Sequence, residues 1–209
     1  MARAEFRQAQ ERDRYAPHVR PVNELVDRLR DRDGRGWMPH VAPWHGGVEA
    51  RVLSVLRDPG RATQDGVGSG FLCIENDDPT AERQALAFAQ AGIEPRDVTP
   101  WNAYPWFKES QTPPTGAELN AGVDPLLELL DLMPHVQVVL LQGKEAQSSW
   151  SRAVRRRPSL RDVARSGALT VIPTYHPARG ALRHPDPEER ERRQTHRDEA
   201  YRAAAEALL

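Results

Sequence analysis

The chain has 209 residues, enough for one domain with a sizeable core or for a small domain with an N-terminal extension, and 39% hydrophobic and 28% charged residues fit a soluble globular protein. No apolar run approaches the roughly 20 residues that span a bilayer, and the segment MARAEFRQAQERDRY lacks the apolar stretch of a signal peptide. We therefore expect a cytoplasmic protein with no membrane partner. The single cysteine, Cys73, excludes an intrachain disulfide, a four-cysteine zinc site and a four-cysteine iron–sulfur cluster. The net charge of -1 does not indicate nucleic-acid binding, although it leaves the sign of a cleft open.

Short apolar strands alternate with helices along the chain. In order, we predict a polar helical segment over 1–33, a loop rich in proline and glycine over 37–47, a buried strand over 51–56, a long loop over 57–79, a helix over 80–93, a strand and loop over 98–106, a helix over 119–132, a strand over 136–143, a helix over 143–157, a strand and loop over 168–177 and a charged helix over 186–208. Thr80 is the predicted N-cap of its helix, and Gly92 the predicted end. This alternation predicts an α/β sandwich with a mainly parallel sheet.

The least ordinary residues of the chain follow three of the predicted strands. They are Asp58-Pro59-Gly60, Trp101-Asn102 and His176-Pro177. In open parallel sheets the loops that leave the carboxyl ends of the strands form the ligand-binding crevice. We therefore expect these three loops to meet at one site.

The side chains on these loops suit the hydrolysis of a bond between a nucleobase and its sugar. A carboxylate, here Asp58, stabilises the oxocarbenium character of the sugar and orients a water molecule, while His176 meets the charge on the departing base. An amide such as Asn102 both donates and accepts along a base edge, and an aromatic ring such as Phe71 stacks on the base.

Three segments also resemble motifs of the uracil-DNA glycosylase superfamily. VLSVLRDPG (52–60) is similar to the first motif, an apolar strand that ends in G-Q-D-P-Y or G-E-A-P-G. LLQGKEAQ (140–147) resembles the L-L-W-G-x-x-A-Q turn behind the site, and YHPARGAL (175–182) resembles the second motif, H-P-S-P-L-S. The segments agree in order and spacing, so the resemblance extends from about residue 50 to residue 185.

The resemblance implies roles for individual residues. Asp58 falls on the water-activating aspartate, and His176 on the catalytic histidine. Phe71, 13 residues after Asp58, falls on the phenylalanine that stacks on the extruded base. Asn102 falls where an asparagine reads the uracil edge. Asn76 lines the pocket or caps the helix that follows it.

The resemblance also implies a fold and an activity. The fold is a three-layer α/β/α sandwich with a short, mainly parallel, four-stranded central sheet over residues 49–209, preceded by an N-terminal helical extension and approach loop over 1–48. The activity is that of a monofunctional DNA glycosylase of the base excision repair type, acting as a monomer on uracil or a related deaminated or 5-substituted base in DNA. Lys144 is the only lysine near a motif, which argues against Schiff-base chemistry. No metal and no organic cofactor is expected.

The chain departs from the family pattern at several positions. Gly60 stands where well-known members carry a tyrosine that excludes thymine, so a larger or 5-substituted base has room to enter. Arg57 replaces the Gln or Glu before the aspartate. Ala178, Arg179 and Gly180 replace S-P-L, so the intercalating leucine is missing there; Leu182 is a candidate for the wedge into DNA, and Arg179 a candidate to fill the vacated base position.

Three alternatives remain open from the sequence. The first is a glycosylase for another lesion, such as hypoxanthine or a modified pyrimidine. The second is a catalytically silent DNA-binding relative, although such a protein needs neither Asp58 nor His176. The third is a nucleotide-binding α/β protein, but neither G-x-x-x-x-G-K-[ST] nor G-x-G-x-x-G occurs in the chain.

Overall fold

A computed structural model describes residues 3–209. The strands are β1 (His40–Val41), β2 (Val52–Leu56), β3 (Phe71–Leu72), β4 (Val98–Asn102), β5 (Val138–Gln142) and β6 (Thr170–Thr174). The helices are α1 (Ala4–Arg12), α2 (Arg20–Leu29), α3 (Pro79–Ala91), α4 (Gly116–Ala121), α5 (Val123–Asp131), α6 (Lys144–Arg156), α7 (Ser159–Arg165), α8 (Arg179–Leu182) and α9 (Pro187–Glu206). No helix in this part of the chain is both long and apolar enough to cross a membrane.

Four strands form the central sheet in the order β4-β2-β5-β6, and all neighbouring pairs are parallel. The strands are short and apolar because helices cover both faces of the sheet. Side chains alternate between the faces, so Leu53 and Val55 pack with α2, α5 and α6, whereas Val52 packs with α3 and α9. The predicted three-layer α/β/α sandwich and its four-stranded sheet are thus confirmed.

Several local features differ from the expectations. The short strands β1 and β3 pair in a separate two-stranded parallel sheet, and α7 and α8 lie in segments where no helix was expected. The helix expected over 119–132 is divided into α4 and α5 at Gly122, where Pro125 has no N–H to donate to the carbonyl of Ala121, four residues earlier. Gly122 itself keeps helical backbone angles and lies against Ala103, since a Cβ there would be 2.0 Å from the Ala103 carbonyl oxygen. Asp78, not Thr80, caps α3, since its carboxylate accepts hydrogen bonds from the N–H groups of Thr80 and Ala81.

The N-terminal helical segment contributes to the main core. α2 buries an apolar stripe in the same cluster as the sheet residues Leu53 and Val55. Its buried Asn23 also exchanges hydrogen bonds with the backbone N–H and C=O of Val41, at 2.8 and 3.0 Å, which attaches α2 to β1. Residues 1 and 2 of the predicted segment lie outside the described residues, and the domain boundary after residue 48 stays a prediction.

The strand order creates a crevice at the carboxyl edge of the sheet. From β2 the chain first adds β4 on one side, and it then adds β5 and β6 on the other side. The loops after β2 and β5 consequently diverge from adjacent strands, and this is the position where open α/β sheets bind ligands.

Candidate active site

A cavity of about 1200 Å³ occupies this crevice. Leu56, Asn102 and Thr174 line it from the ends of three strands, and Asp58 and His176 line it from the loops that follow. The cavity therefore lies where the sequence predicted that the three loops would meet. Its size exceeds what a single base requires, so there is room for a whole nucleotide.

Asp58 lies two residues after β2, and its side chain is only 2% exposed. One carboxylate oxygen, Oδ1, accepts a hydrogen bond from Nε of Arg57, which is partly exposed. The other oxygen, Oδ2, is buried and has no hydrogen-bond partner among the described residues. Burial raises the pKa of Asp58 above its ordinary value, although Arg57 opposes this change. The site thus holds a desolvated carboxyl group with one oxygen free to accept.

His176 lies two residues after β6, and burial lowers its pKa to about 4, with a further contribution from the positive charge of Arg57. The backbone N–H of Ala178 donates to its Nδ1 at 3.0 Å. A neutral imidazole that accepts at Nδ1 carries its proton on Nε2. At neutral pH the ring is therefore an uncharged hydrogen-bond donor through Nε2.

Asn102 ends β4, is 2% exposed, and has an Nδ2 group with no partner among residues 3–209. The loop after it is attached to the loop after β2: the N–H of Ala103 donates to the carbonyl of Leu56 (2.8 Å), and that of Tyr104 to the carbonyl of Arg57 (3.1 Å). These bonds fix the position of the Asn102 side-chain amide relative to Asp58. The amide therefore offers the cavity an N–H donor that makes no hydrogen bond to the described residues.

Phe71 requires a correction, because it does not line this cavity. Its fully buried ring packs with Ala42 and Cys73 in a separate cluster, beneath the guanidinium of Arg14. Successive residues of a strand face opposite sides, so the neighbouring Leu72 faces the cavity instead. The structure therefore does not place the Phe71 ring where it would stack on a base in this cavity.

Asn76 belongs to the cavity wall, and it stabilises the loop before α3. Its Nδ2 donates to the carbonyl of Phe71 at 2.9 Å, and its Oδ1 accepts from the hydroxyl of Ser69 at 2.7 Å. The role of helix cap, left open by the sequence, is taken by Asp78.

Gly60 lines the cavity and leaves open space, since a Cβ at this position would have no neighbouring atom within 4 Å. Arg179 and Leu182 belong to α8 and are not part of the lining, although Gly180 and Ala181 between them are. Arg179 is exposed and Leu182 is partly buried. These two side chains therefore lie beside the mouth of the cavity, outside its walls.

Polar residues that sequence reasoning missed lie beneath the same cavity. Ser54 Oγ accepts hydrogen bonds from the amides of Gln84 (2.9 Å) and Gln142 (2.7 Å), and the hydroxyl of Tyr201 donates to Gln142 (2.6 Å). Gln84 reaches the cavity, as does Thr174 at the end of β6. A signal was present in the sequence, since Ser54 interrupts one otherwise apolar strand and Gln142 ends another.

A comparison with models of protein families identifies the family of the chain. The model of the uracil DNA glycosylase superfamily matches residues 43–205, which is more than half of the chain. The match includes the loops that carry Asp58, Asn102 and His176. A comparison with curated proteins found no match. The predicted family is confirmed, and the chain belongs to the uracil-DNA glycosylase superfamily.

Proposed function

We propose that this protein is a monofunctional DNA glycosylase that hydrolyses the N-glycosidic bond of uracil, or of a related deaminated or 5-substituted base, in DNA. The observation that carries the proposal is the set of unused polar groups in one cavity. Asp58 offers a free acceptor oxygen, and Asn102 offers a free amide donor. His176 offers a neutral imidazole that donates through Nε2.

In the proposed reaction an extruded nucleotide enters the cavity with the base toward Asn102. The bond between C1′ and the base nitrogen breaks, and its electron pair leaves with the base. His176 Nε2–H donates a hydrogen bond to the carbonyl oxygen on which this negative charge develops. The carboxylate of Asp58 stabilises the positive charge of the sugar, and its Oδ2 accepts a hydrogen bond from the attacking water. As the water oxygen forms the new bond to C1′, one proton of the water passes to Asp58 Oδ2, and the departing base anion takes up a proton from solvent.

The lysines support a monofunctional reaction. A lysine that forms a Schiff base is activated by burial or by another cation, which lowers its pKa. Lys144 is at the cavity, but its side chain is 87% exposed. Lys108, the other lysine of the chain, donates a hydrogen bond to Glu118 at 2.8 Å. Lys144 is exposed to solvent and Lys108 is paired with a carboxylate, so neither amine is activated in this way, and water is the proposed attacking group.

Two residues of α8 are proposed to contact the DNA around the extruded nucleotide. Arg179 is exposed beside Gly180, which lines the cavity, and it has no ion-pair partner within residues 3–209. A free guanidinium at this rim suits a DNA phosphate. Leu182 is proposed to contact the neighbouring base pairs, as apolar side chains do in bent duplexes.

Replacing Asp58 by Asn tests the proposal. Because Oδ2 makes no protein hydrogen bond and the acceptor Oδ1 is retained, Asp58→Asn should fold normally. We expect base release to fall by at least about 10²-fold in single-turnover assays, while binding to uracil-containing duplex persists.

Glu145→Gln provides a matched control, since Glu145 is a second carboxylate of the same cavity with a side chain that is 12% exposed. This variant should retain activity. Full activity of Asp58→Asn would refute the assigned roles. A wild-type protein that binds the duplex but releases no base would favour the catalytically silent alternative.

A further inference from the structure

Three residues that line the cavity carry a buried polar atom without a hydrogen-bond partner, and the reaction above uses only two of these atoms. Five buried side-chain nitrogen or oxygen atoms in residues 3–209 have no hydrogen-bond partner, and three of them, Asp58 Oδ2, Asn102 Nδ2 and Thr174 Oγ1, belong to residues that line the cavity. A buried polar group without a partner destabilises a fold, so such groups cluster where a ligand completes them. Thr174 has no part in the chemistry derived so far.

The Thr174 hydroxyl has no structural function that the contacts reveal. The residue is 2% exposed, and its backbone position is fixed through its carbonyl oxygen. That oxygen accepts from the N–H of Gly143 at 2.8 Å and from Nε2 of Gln147 at 3.1 Å. The hydroxyl takes part in neither bond. A valine would fill the same volume without burying a polar atom, so the presence of the hydroxyl indicates a role other than packing.

The register of the sheet places Thr174 at the opposite side of the site from Asn102. Asn102 pairs with Leu56, and Gln142 pairs with Thr174, while the pairing of Val55 with Leu141 places Leu56 beside Gln142. The two residues therefore lie at the two ends of one row across four strands. Their Cα atoms are about 14 Å apart, since neighbouring strands are about 4.8 Å apart. Side chains along such a row point to the same face of the sheet.

This separation indicates which part of a nucleotide Thr174 contacts. A hydrogen bond adds about 3 Å at each end of a ligand. A single base ring with two such bonds is too short to join Asn102 to Thr174, whereas a base together with its sugar and phosphate is long enough. Thr174 is also two residues from His176, which in the proposed reaction donates to the carbonyl oxygen of the departing base and so lies near the bond that is broken.

We propose that the Thr174 hydroxyl binds the sugar–phosphate part of the extruded nucleotide, while Asn102 binds its base. The inference rests on the proposed function for the identity of the ligand. It divides the cavity into a base end at β4 and a backbone end at β6. Thr174 is a binding residue in this scheme and takes no part in proton transfer.

The test uses duplex DNA with a tetrahydrofuran abasic site, which retains the sugar and phosphates but lacks a base. Thr174→Val should weaken binding to this duplex by about 10-fold. Asn102→Ala should leave the same affinity within about 2-fold, because no base is present for it to contact. Thr174→Ser should retain affinity close to that of the wild type, since it keeps the hydroxyl.

Thermal unfolding separates binding from structure. The Tm of Thr174→Val should be no lower than that of the wild type, because the hydroxyl has no protein partner. Thr99→Val is the matched control: its hydroxyl donates to the Gly47 carbonyl at 2.7 Å, so this variant should unfold at a lower temperature.

Unchanged affinity of Thr174→Val for the abasic duplex would overturn the inference, as would a clear loss of Tm in that variant. Failure of the proposed function gives a different result. In that case the wild-type protein releases no base, whereas the comparison of Thr174→Val with Asn102→Ala on abasic DNA still reports on the division of the cavity.

Discussion

Gly60 allows the range of accepted bases to be tested with little disturbance of the protein. Its backbone is extended (φ -81°, ψ 168°), a conformation that every residue adopts. A side chain added here meets no protein atom within 4 Å of its Cβ. The loop is also held by Thr63, whose N–H and hydroxyl donate to the Gly60 carbonyl at 3.0 and 2.7 Å. Gly60→Tyr should therefore fold like the wild type and change only the cavity.

The expected effect is a loss of activity that depends on the substituent at C5 of the base. Discrimination of one methyl-sized group by a pocket wall amounts to about 1–3 kcal/mol, or roughly 10- to 200-fold in kcat/KM. We expect the wild-type protein to release both uracil and 5-hydroxymethyluracil. Gly60→Tyr should lower the release of 5-hydroxymethyluracil by this factor, with a much smaller effect on uracil.

The assay is single-turnover release from matched duplexes that carry uracil, 5-hydroxymethyluracil, thymine or hypoxanthine, followed by alkaline cleavage of the abasic sites. Gly180→Tyr is the control, because Gly180 also lines the cavity and its Cβ would likewise have no neighbour within 4 Å. Equal losses on all bases, or the same selectivity change in Gly180→Tyr, would refute a specific role of Gly60. Background release of 5-hydroxymethyluracil by the wild type would also contradict it.

Two further predictions concern residues outside the reaction. Burial lowers the pKa of His45 to about 4. Between pH 6.5 and 4 the unfolded state therefore binds more protons than the folded state. The free energy of unfolding should fall as the pH decreases through this range, and this residue should contribute up to about 3 kcal/mol to the fall. Urea unfolding at pH 7 and pH 4.5 should show a smaller loss for His45→Gln, and equal losses would contradict the assignment. Phe71→Leu should lower the unfolding free energy by about 1 kcal/mol and leave base release unchanged, because its ring lies outside the cavity. Slower base release at an unchanged Tm would restore Phe71 to the site.

The central sheet was predictable because its signal is local. Each strand of the sheet is a short apolar run, and alternation with helices dictates parallel pairing. The pair β1 and β3 left no such signal, since each strand has only two residues and their pairing depends on contacts between distant segments. The contact of Gly122 with the Ala103 carbonyl, 19 positions earlier in the chain, likewise left no local signal.

The sequence predicted the site residues that lie at the ends of strands. It did not predict residues whose place in the cavity depends on the direction of the side chain. Asn102 ends a strand, and Asp58 and His176 each lie two residues after one, so parallel topology alone brings them to one edge. Phe71 has the expected spacing from Asp58, but the alternation of β3 turns its ring away and presents Leu72. Sequence spacing fixes where the backbone is, and a shift of one residue reverses the face on which a side chain lies.

Arg57 acts in opposite directions on Asp58 and His176, the two groups that are proposed to act on the substrate. Burial alone favours the neutral form of both, since it raises the pKa of Asp58 and lowers that of His176. The guanidinium opposes burial at Asp58, where it favours the carboxylate, and reinforces burial at His176, where it disfavours the imidazolium. One cation thereby favours a charged acceptor beside a neutral donor. That combination suits a sugar that becomes positive and a base that leaves as an anion, because the carboxylate stabilises the sugar while the histidine adds no second positive charge beside it.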